Sequence, residues 1–414
     1  MSSKTWRLAE ASILGLIIYA HWYPDPIRIN SLLLFLPLLA IRYAFSKRLV
    51  THSPLDVFLV VFVGLCLLNL VAAPYTWGFY VVSRAALGAG IVWAVADWGR
   101  SPQVDGAFAI FWLLFGILIG AISLVTAQYT IKSLELQNII NLLPKLRDLP
   151  VVTGGFNVNE ISGAMSLLLP PAVALALTQK TALRRGLRVG AWAAVIVLSF
   201  ALLLAQSRLA IIGVFAASAV ILFAVMRPGA RRRLALAILV ALAVIELIVA
   251  GNWFVPASSA NVAYLRDEGS QLARFEIWSA GLGVIRDHPL AGVGINQFRS
   301  RAVRADYPVP GYETAVLPHA HNILLQTGAD LGLPGIAVYV GWTIALAIML
   351  RRLWKQGDAW AKTCAVGAAG GLLAHLVFNS ADAIPLFDRF IFLYWLLVGW
   401  SAALYVRMRK QGSG

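Results

Sequence analysis

His321-Asn322-Ile323-Leu324-Leu325-Gln326-Thr327-Gly328-Ala329-Asp330-Leu331-Gly332-Leu333-Pro334-Gly335 leads straight into residues 336–350, an apolar run with no charged residue. A polar loop therefore re-enters an apolar span at this histidine. An imidazole at a membrane boundary titrates near neutral pH and is costly to hold there without a use. The preceding loop is rich in arginine. One base beside several fixed cations points to chemistry on a lipid-linked phosphate.

The same alternation of long apolar runs and short polar breaks covers all 414 residues, of which 60% are hydrophobic and 13% charged. A water-soluble protein could not hide so much apolar surface. Runs of about 18 or more apolar residues give about twelve spans. They centre on Gly15, Leu36, Val63, Gly90, Phe115, Leu168, Val195, Phe215, Leu242, Gly341, Gly370 and Leu396. The chain reads as an all-α polytopic membrane protein. Pro37 in the second span and Pro170-Pro171 in the sixth predict kinks or re-entry. The first apolar run, from Ala9 to Tyr23, holds Glu10 and lacks a small-residue cleavage site, so no cleavable signal peptide is expected.

The formal charge of +15 raises the question of nucleic acid. Its distribution excludes that class. Basic residues cluster in short alternating loops: Lys47-Arg48, Arg184-Arg185, Arg231-Arg232-Arg233, Arg351-Arg352, and Arg407 to Lys410. This is the positive-inside pattern, which sets orientation. An even span count puts both ends on one side, and Lys4, Arg7, Arg407 and Lys410 assign it to the cytoplasm. Cys66 and Cys364 both lie inside apolar runs and read as small core residues.

Three regions follow: residues 1–251 with nine spans and a short outer amphipathic segment at 128–158, a large outer loop at 252–320, and residues 321–414 with the motif helix and the last three spans. In the first outer segment Leu136, Ile139, Ile140, Leu143 and Leu146 share one helical face, as in a helix lying at the interface, and Pro144 cuts it short. In the large loop Leu272, Phe275, Trp278, Leu282 and Ile285 form a second stripe, ended by Pro289, Gly292 and Gly294. No internal repeat is evident, which disfavours a transporter built from inverted halves.

Two readings of His321 stand. One is a cap on the helix carrying Leu324 and Leu325. The other is a general base for a hydroxyl acceptor, a role its pKa range suits. Asn322 caps the helix or hydrogen-bonds substrate, and His319 is either a second ligand or a loop residue. Arg208 follows Ala205-Gln206-Ser207 in a very tight turn between two apolar runs. It either snorkels to lipid head groups or clamps a pyrophosphate, for which its planar, permanently charged fork is suited. The large loop adds Arg266, Arg274, Arg286, Arg299, Arg301 and Arg304 and no lysine. That bias favours oxyanion binding over simple solubility, and Arg274 ranks first because its amphipathic helix would hold it at phosphate depth. Glu10, Arg84, Glu246 and His375 lie within spans and are taken as structural. Asp382, Asp388 and Arg389 lie in the last outer loop, where they line a site mouth or are merely solvated. No metal site is expected, because His319 and His321 have no carboxylate or cysteine cluster nearby in sequence. Gly292-Val293-Gly294 is too short for a nucleotide loop.

These residues together resemble the O-antigen ligase and polymerase superfamily. The ligase motif, His-(Asn/Ser/Gln)-x9-Gly-x-x-Gly, is complete from His321 to Gly335. Gln206-Ser207-Arg208, Arg274 through Trp278, and His288-Pro289-Leu290-Ala291-Gly292-Val293-Gly294 with Phe298 are similar too. The resemblance is specific from Gln206 to Gly335 and topological elsewhere. It implies a GT-C-like fold with about twelve helices and one large periplasmic loop domain, as the spans also indicate. It further implies a bacterial inner-membrane enzyme that moves a glycan from undecaprenyl pyrophosphate to a sugar hydroxyl of lipid A-core. The essential residues would be Arg208, Arg274 and His321, with Asn322, His319, Arg266, Arg299 and Arg301 as further substrate contacts. The expected chemistry is metal-independent and inverting, with no cofactor. The partners are the lipid-linked glycan, the acceptor and membrane lipids, and not nucleic acid. An O-antigen polymerase and a protein O-oligosaccharyltransferase remain open, and so does a flippase for a lipid-linked anion.

Overall fold

Apolar runs fold as helices because backbone groups inside a bilayer must pair within their own segment. The computed structural model describes residues 3–20, 31–47, 49–51, 53–72, 76–99, 103–129, 134–146, 148–149, 152–153, 155–178, 185–225, 229, 233, 237, 271–310, 312, 317, 319–382 and 390–411. Its helices are α1 (Ser3–Ala20), α2 (Phe35–Ser46), α3 (Asp56–Ala72), α4 (Thr76–Trp98), α5 (Gln103–Thr126), α6 (Leu134–Leu142) and α7 (Val158–Leu177). They continue with α8 (Arg185–Ala205), α9 (Arg208–Val225), α10 (Gln271–Asp287), α11 (Arg301–Asp306), α12 (Ile323–Gln356), α13 (Ala359–Phe378) and α14 (Ile391–Gln411). Seven are long and apolar enough to cross a membrane: α5, α7, α8, α9, α12, α13 and α14. Helices also occupy the expected centres at Gly15, Leu36, Val63 and Gly90, while the centre at Leu242 and Glu246 lie outside the described residues. Described strands are two residues long: β1 (Ala127–Gln128) pairs in parallel with β4 (Phe156–Asn157), and β2 (Asp148–Leu149) with β3 (Val152–Thr153) as a hairpin. Helix α6 ends at Leu142, ahead of Pro144.

The chain divides into two units that interleave along the sequence. The first comprises Met1–Trp98, Pro256–Ile348 and Asn379–Val406, and the second Gly99–Val255, Met349–Phe378 and Arg407–Gly414. In the second unit α7 runs as one helix through Pro170 and Pro171, where the sequence had suggested a kink or re-entry. Gly367 and Gly370 of α13 give those prolines room, since a Cβ at either would lie 3.0–3.1 Å from proline carbons. Small residues at such crossings let backbones approach closely. A buried fork from Arg407 closes on Asp105, at 3.1 and 2.8 Å.

In the first unit Glu10 has a partner that sequence could not name. Arg42 binds its Oε1 at 2.7 Å and Asp97 Oδ2 at 2.5 Å, while its Nε reaches Leu49 O at 2.7 Å. Arg42 is 2% exposed, and removing one partner from such a buried group would strand the others at roughly 3–5 kcal/mol.

The motif helix α12 is interrupted at Gly332, whose φ of 69° and ψ of −167° are open in practice only to glycine. The turn at His288–Gly294 meets this break. Val293 N donates to Ala329 O at 2.8 Å, and Leu333 N donates to Pro289 O at 2.7 Å. Gly292 is left-handed as well, with φ of 65°, and a Cβ there would lie 2.3 Å from Ala329 O. A Cβ on Gly332 would lie 2.5 Å from Pro289 O. The two glycines therefore interlock backbone against backbone. Gly332→Ala should destabilise the protein by roughly 1–3 kcal/mol from backbone strain alone, before any steric clash. Gly64, in α3, meets nothing within 4 Å of a built Cβ, so Gly64→Ala should be neutral or slightly stabilising. Thermal unfolding of both variants in detergent checks the contrast.

Candidate functional site

The helix α10 brings Arg274 into the first unit. Ala273, Ile277, Ala280 and Val284 recur at helical spacing and form its buried face, packed with Phe298, Val309, Tyr312, Leu317, Ala320 and Ala329. The stripe read from the sequence lies elsewhere on this helix: Phe275 is 61% and Leu282 58% exposed. The buried face mixes the small Ala273 and Ala280 with Ile277 and Val284. Arg274 sits between the two faces and reaches Asp382 Oδ2 at 3.8 Å. Its Nε is buried and without a partner among the described residues, as is Trp278 Nε1 one turn later.

Asn322 is the helix cap. Its Oδ1 accepts from Leu324 N at 2.9 Å and Leu325 N at 3.1 Å, and its Nδ2 donates to Ser380 O at 2.8 Å. Ile323 N donates to Asn379 O at 3.0 Å. These bonds tie the start of α12 to residues 379–382 and so set Asp382 beside His321. The cap reading of His321 thus passes to its neighbour, and the polar groups of Asn322 are engaged by backbone.

His321 is buried, in the left-handed region with φ of 48°. Its Nδ1 lies 3.3 Å from Asp382 Oδ1. Burial alone would raise the Asp382 carboxyl, but the hydrogen bond to His321 and the charges of His321, His319 and Arg274 outweigh it and hold it low. An ionised carboxylate only accepts, so Nδ1 of His321 carries a proton, and Nε2 is the nitrogen that bears the lone pair in the uncharged form of the ring. That Nε2 is buried and without a partner among the described residues. The expectation that no carboxylate approaches these histidines fails here. Asp382 lies 61 residues further along the chain, a separation at which sequence gives no signal. Candidate donor atoms of His319, His321 and Asp382 all lie within 4.8 Å of one another, a donor set able to take a cation. Two features oppose one: the charges of Arg274 and Arg299 reach the trio, and His319 Nδ1 already accepts from His321 N at 3.2 Å.

The remaining expected residues are spread out. Arg299 and Arg301 are exposed. Arg304 is buried and donates to Tyr312 O at 3.1 Å. Arg208 opens α9 in the second unit, two residues after the left-handed Gln206 with φ of 53°. Arg266, Asp388 and Arg389 lie outside the described residues.

Burial, reinforced by the charge of His321, pushes the His319 imidazole down from 6.5 to about 3. With Nδ1 accepting, neutral His319 carries its proton on Nε2 and is a donor there. Between pH 6.5 and 3 the unfolded chain binds this proton and the folded chain does not, so His319 makes stability fall as pH drops through that window. In histidine-labelled protein its imidazole signal should stay neutral at pH 5, and the unfolding midpoint of His319→Gln should lose less between pH 7 and 5 than that of the unaltered chain.

Residues 193–340 match the family model described as O-antigen ligase. No curated protein matches the chain. The matched stretch contains Arg208, Arg274 and His321 and ends just past Gly335. Residues 193–340 are thus similar to the O-antigen ligase family, and with seven helices among the described residues long and apolar enough to cross a membrane, the chain is a multi-pass membrane protein.

Proposed function

We propose that this protein is an O-antigen ligase. It transfers a glycan from undecaprenyl pyrophosphate to a sugar hydroxyl of lipid A-core, at the periplasmic face of the bacterial inner membrane. The match of residues 193–340 to the O-antigen ligase family model supports ligase- or polymerase-type glycosyl transfer. The observation that carries the finer reading is the bare, buried Nε2 of His321, with Nδ1 fixed on Asp382 and Arg274 adjacent. Orphaned polar atoms in a buried site call for a polar ligand. The side assignment rests on charge: α12 begins beside His321 and carries Arg351, Arg352 and Lys355 near its other end, and basic ends stay in the cytoplasm. The full topology is twelve spans, following the apolar runs.

His321 Nε2 takes the proton from the acceptor hydroxyl as that oxygen attacks the anomeric carbon. The bond to the lipid pyrophosphate breaks with inversion. Arg274 holds the departing phosphate oxygens, and its unpaired Nε gives it a donor to spare. Arg208 has the same role in this reading on its chemistry and motif alone. Fixed cations stabilise charge only where it develops, each such donor being worth roughly 10²–10³ in rate. Asp382 keeps the imidazole in the tautomer whose free nitrogen is Nε2. Transfer between lipid-linked repeat units, as in a polymerase, uses the same groups, and the acceptor decides between the two.

Purified protein given lipid-linked glycan and lipid A-core acceptor should yield the joined product in excess EDTA. Dependence on added divalent metal would instead make His319, His321 and Asp382 ligands and sink the arginine account. His321→Ala, with folding checked, should lower kcat roughly 10²–10⁴-fold. Asp382→Asn should lie in the same range because the amide favours the other tautomer. Chains of donor units joined to one another, with acceptor ignored, would identify a polymerase.

A further inference from the structure

The left-handed backbone of His321 is held by side chains that lie beyond the imidazole. Ala320 N, directly before it, donates to Gln326 Oε1 at 2.8 Å. Gln326 Nε2 donates to Asp330 Oδ2 at 2.9 Å. Asp330 Oδ1 accepts from Asn296 N at 2.9 Å, and Asn296 is itself left-handed with φ of 60°. The next turn is fixed by Asn69, whose Oδ1 accepts from Ile295 N at 2.8 Å and whose Nδ2 donates to Ala291 O at 2.9 Å. Ala320 and Asp330 are 0% exposed, and Gln326 and His321 are 3% exposed.

Gln326 and Asp330 stand four residues apart on α12, so their side chains are neighbours on one face. Both Asp330 oxygens accept, Oδ1 from Asn296 N and Oδ2 from Gln326 Nε2, so Gln326 presents its amide nitrogen to Asp330. The amide oxygen then points at Ala320 N. Without that constraint the amide could turn its nitrogen towards Ala320 N and leave two donors face to face. Asp330 therefore decides which end of Gln326 meets the loop, and the loop decides where the imidazole sits.

We propose that Gln326 and Asp330 are positioning residues for the transfer reaction, a hydrogen-bonded relay that holds Ala320 and so aims His321 Nε2 at the acceptor hydroxyl. This rests on the reading of His321 as the base. Neither side chain need touch substrate. A misplacement of about 1 Å at a reacting group costs on the order of 10²-fold in rate.

The relay can be reversed without changing its charge. In Asp330→Asn an amide faces an amide, and one bond is lost whichever way Gln326 turns. In Gln326→Glu two carboxyl groups oppose each other. With both changes the Glu accepts from Ala320 N and from the new Asn, whose oxygen still accepts from Asn296 N. Every bond is restored with the polarity of the middle one inverted.

The test uses the full chain in detergent with lipid-linked glycan and lipid A-core acceptor. Each single substitution should lower kcat about 100-fold and leave the donor KM within about twofold, since phosphate binding is untouched. The double substitution should recover kcat to within about fivefold of the unaltered protein, because all the hydrogen bonds return. Unfolding midpoints identify any variant that fails to fold, and a folded double variant then carries the comparison. Unchanged kcat in folded single variants overturns the relay, and so does a folded double variant as slow as either single one. If the unaltered protein forms no product, the transfer reading fails and the relay is judged by nitrogen NMR of the His321 ring, assigned with His321→Gln. Asp330→Asn should shift that signal and the double substitution return it. A signal indifferent to both overturns the relay by itself.

Discussion

Breaking a helix inside an apolar span exposes backbone groups that no lipid can satisfy. At Gly332 the freed groups are met by another piece of backbone. Ala329 O accepts from Val293 N, and Leu333 N donates to Pro289 O. Two left-handed glycines make the approach possible, each standing where a Cβ would strike the other segment. Much of the first unit's polar architecture follows from this interlock. The turn at His288–Gly294 is the direct continuation of α10, so fixing it against α12 also fixes the helix that carries Arg274. The motif glycines and the second glycine pair are thus two halves of one joint.

The joint also explains why small side chains stand on the buried face of α10 where it meets the start of α12. Gly281 and Ala280 lie on the stretch of α10 nearest the start of α12, and a Cβ on Gly281 would stand 3.7 Å from Leu325 Cβ. Ala273, Ala280, Ala320 and Ala329 belong to the same core. Large residues there would hold the helices apart and lengthen the reach from Arg274 to Asp382. That reach is already 3.8 Å, long for an ion pair, and Arg274 Nε has no partner among the described residues. The guanidinium is held near a carboxylate without being consumed by it, which suits a cation that must accept a second anion.

Sequence made the described helices and the interruption of the motif helix legible, because each is a local pattern. Apolar runs of span length became helices, His321 through Gly335 became the interrupted helix, and Pro144 followed the end of α6. What was not legible depends on separation along the chain. Asp382 joins His321 across 61 residues and Arg42 joins Glu10 across 32, and no spacing rule connects either pair. The amphipathic stripe of α10 was seen, but the second buried face, Ala273, Ile277, Ala280 and Val284, was not. Period alone cannot say which of two opposite apolar faces meets protein and which remains exposed as Phe275 and Leu282 do. Pro170-Pro171 stand inside the unbroken helix α7, packed against glycines of α13, a tertiary fact that local propensity does not carry.

Backbone strain gathers where chemistry-bearing residues begin. Among the described residues other than glycine, positive φ occurs at Lys47, Gln206, Asn296 and His321. Lys47 closes α2 as an ordinary left-handed cap. Gln206 stands two residues before Arg208, and His321 is itself the candidate base. Each such residue costs on the order of 1–3 kcal/mol and persists only where its surroundings over-determine it. For His321 those surroundings are visible. Asn322 pins the helix start to Ser380, Asp382 holds the ring, and Gln326 holds the preceding amide. An imidazole in a relaxed loop would sample many directions and keep its free nitrogen hydrated. Three separate anchors instead remove the ring from water, fix Nδ1 on Asp382 and leave Nε2 without a partner among the described residues. A group so constrained has little reason to be there for stability, since its unpaired nitrogen is itself a cost.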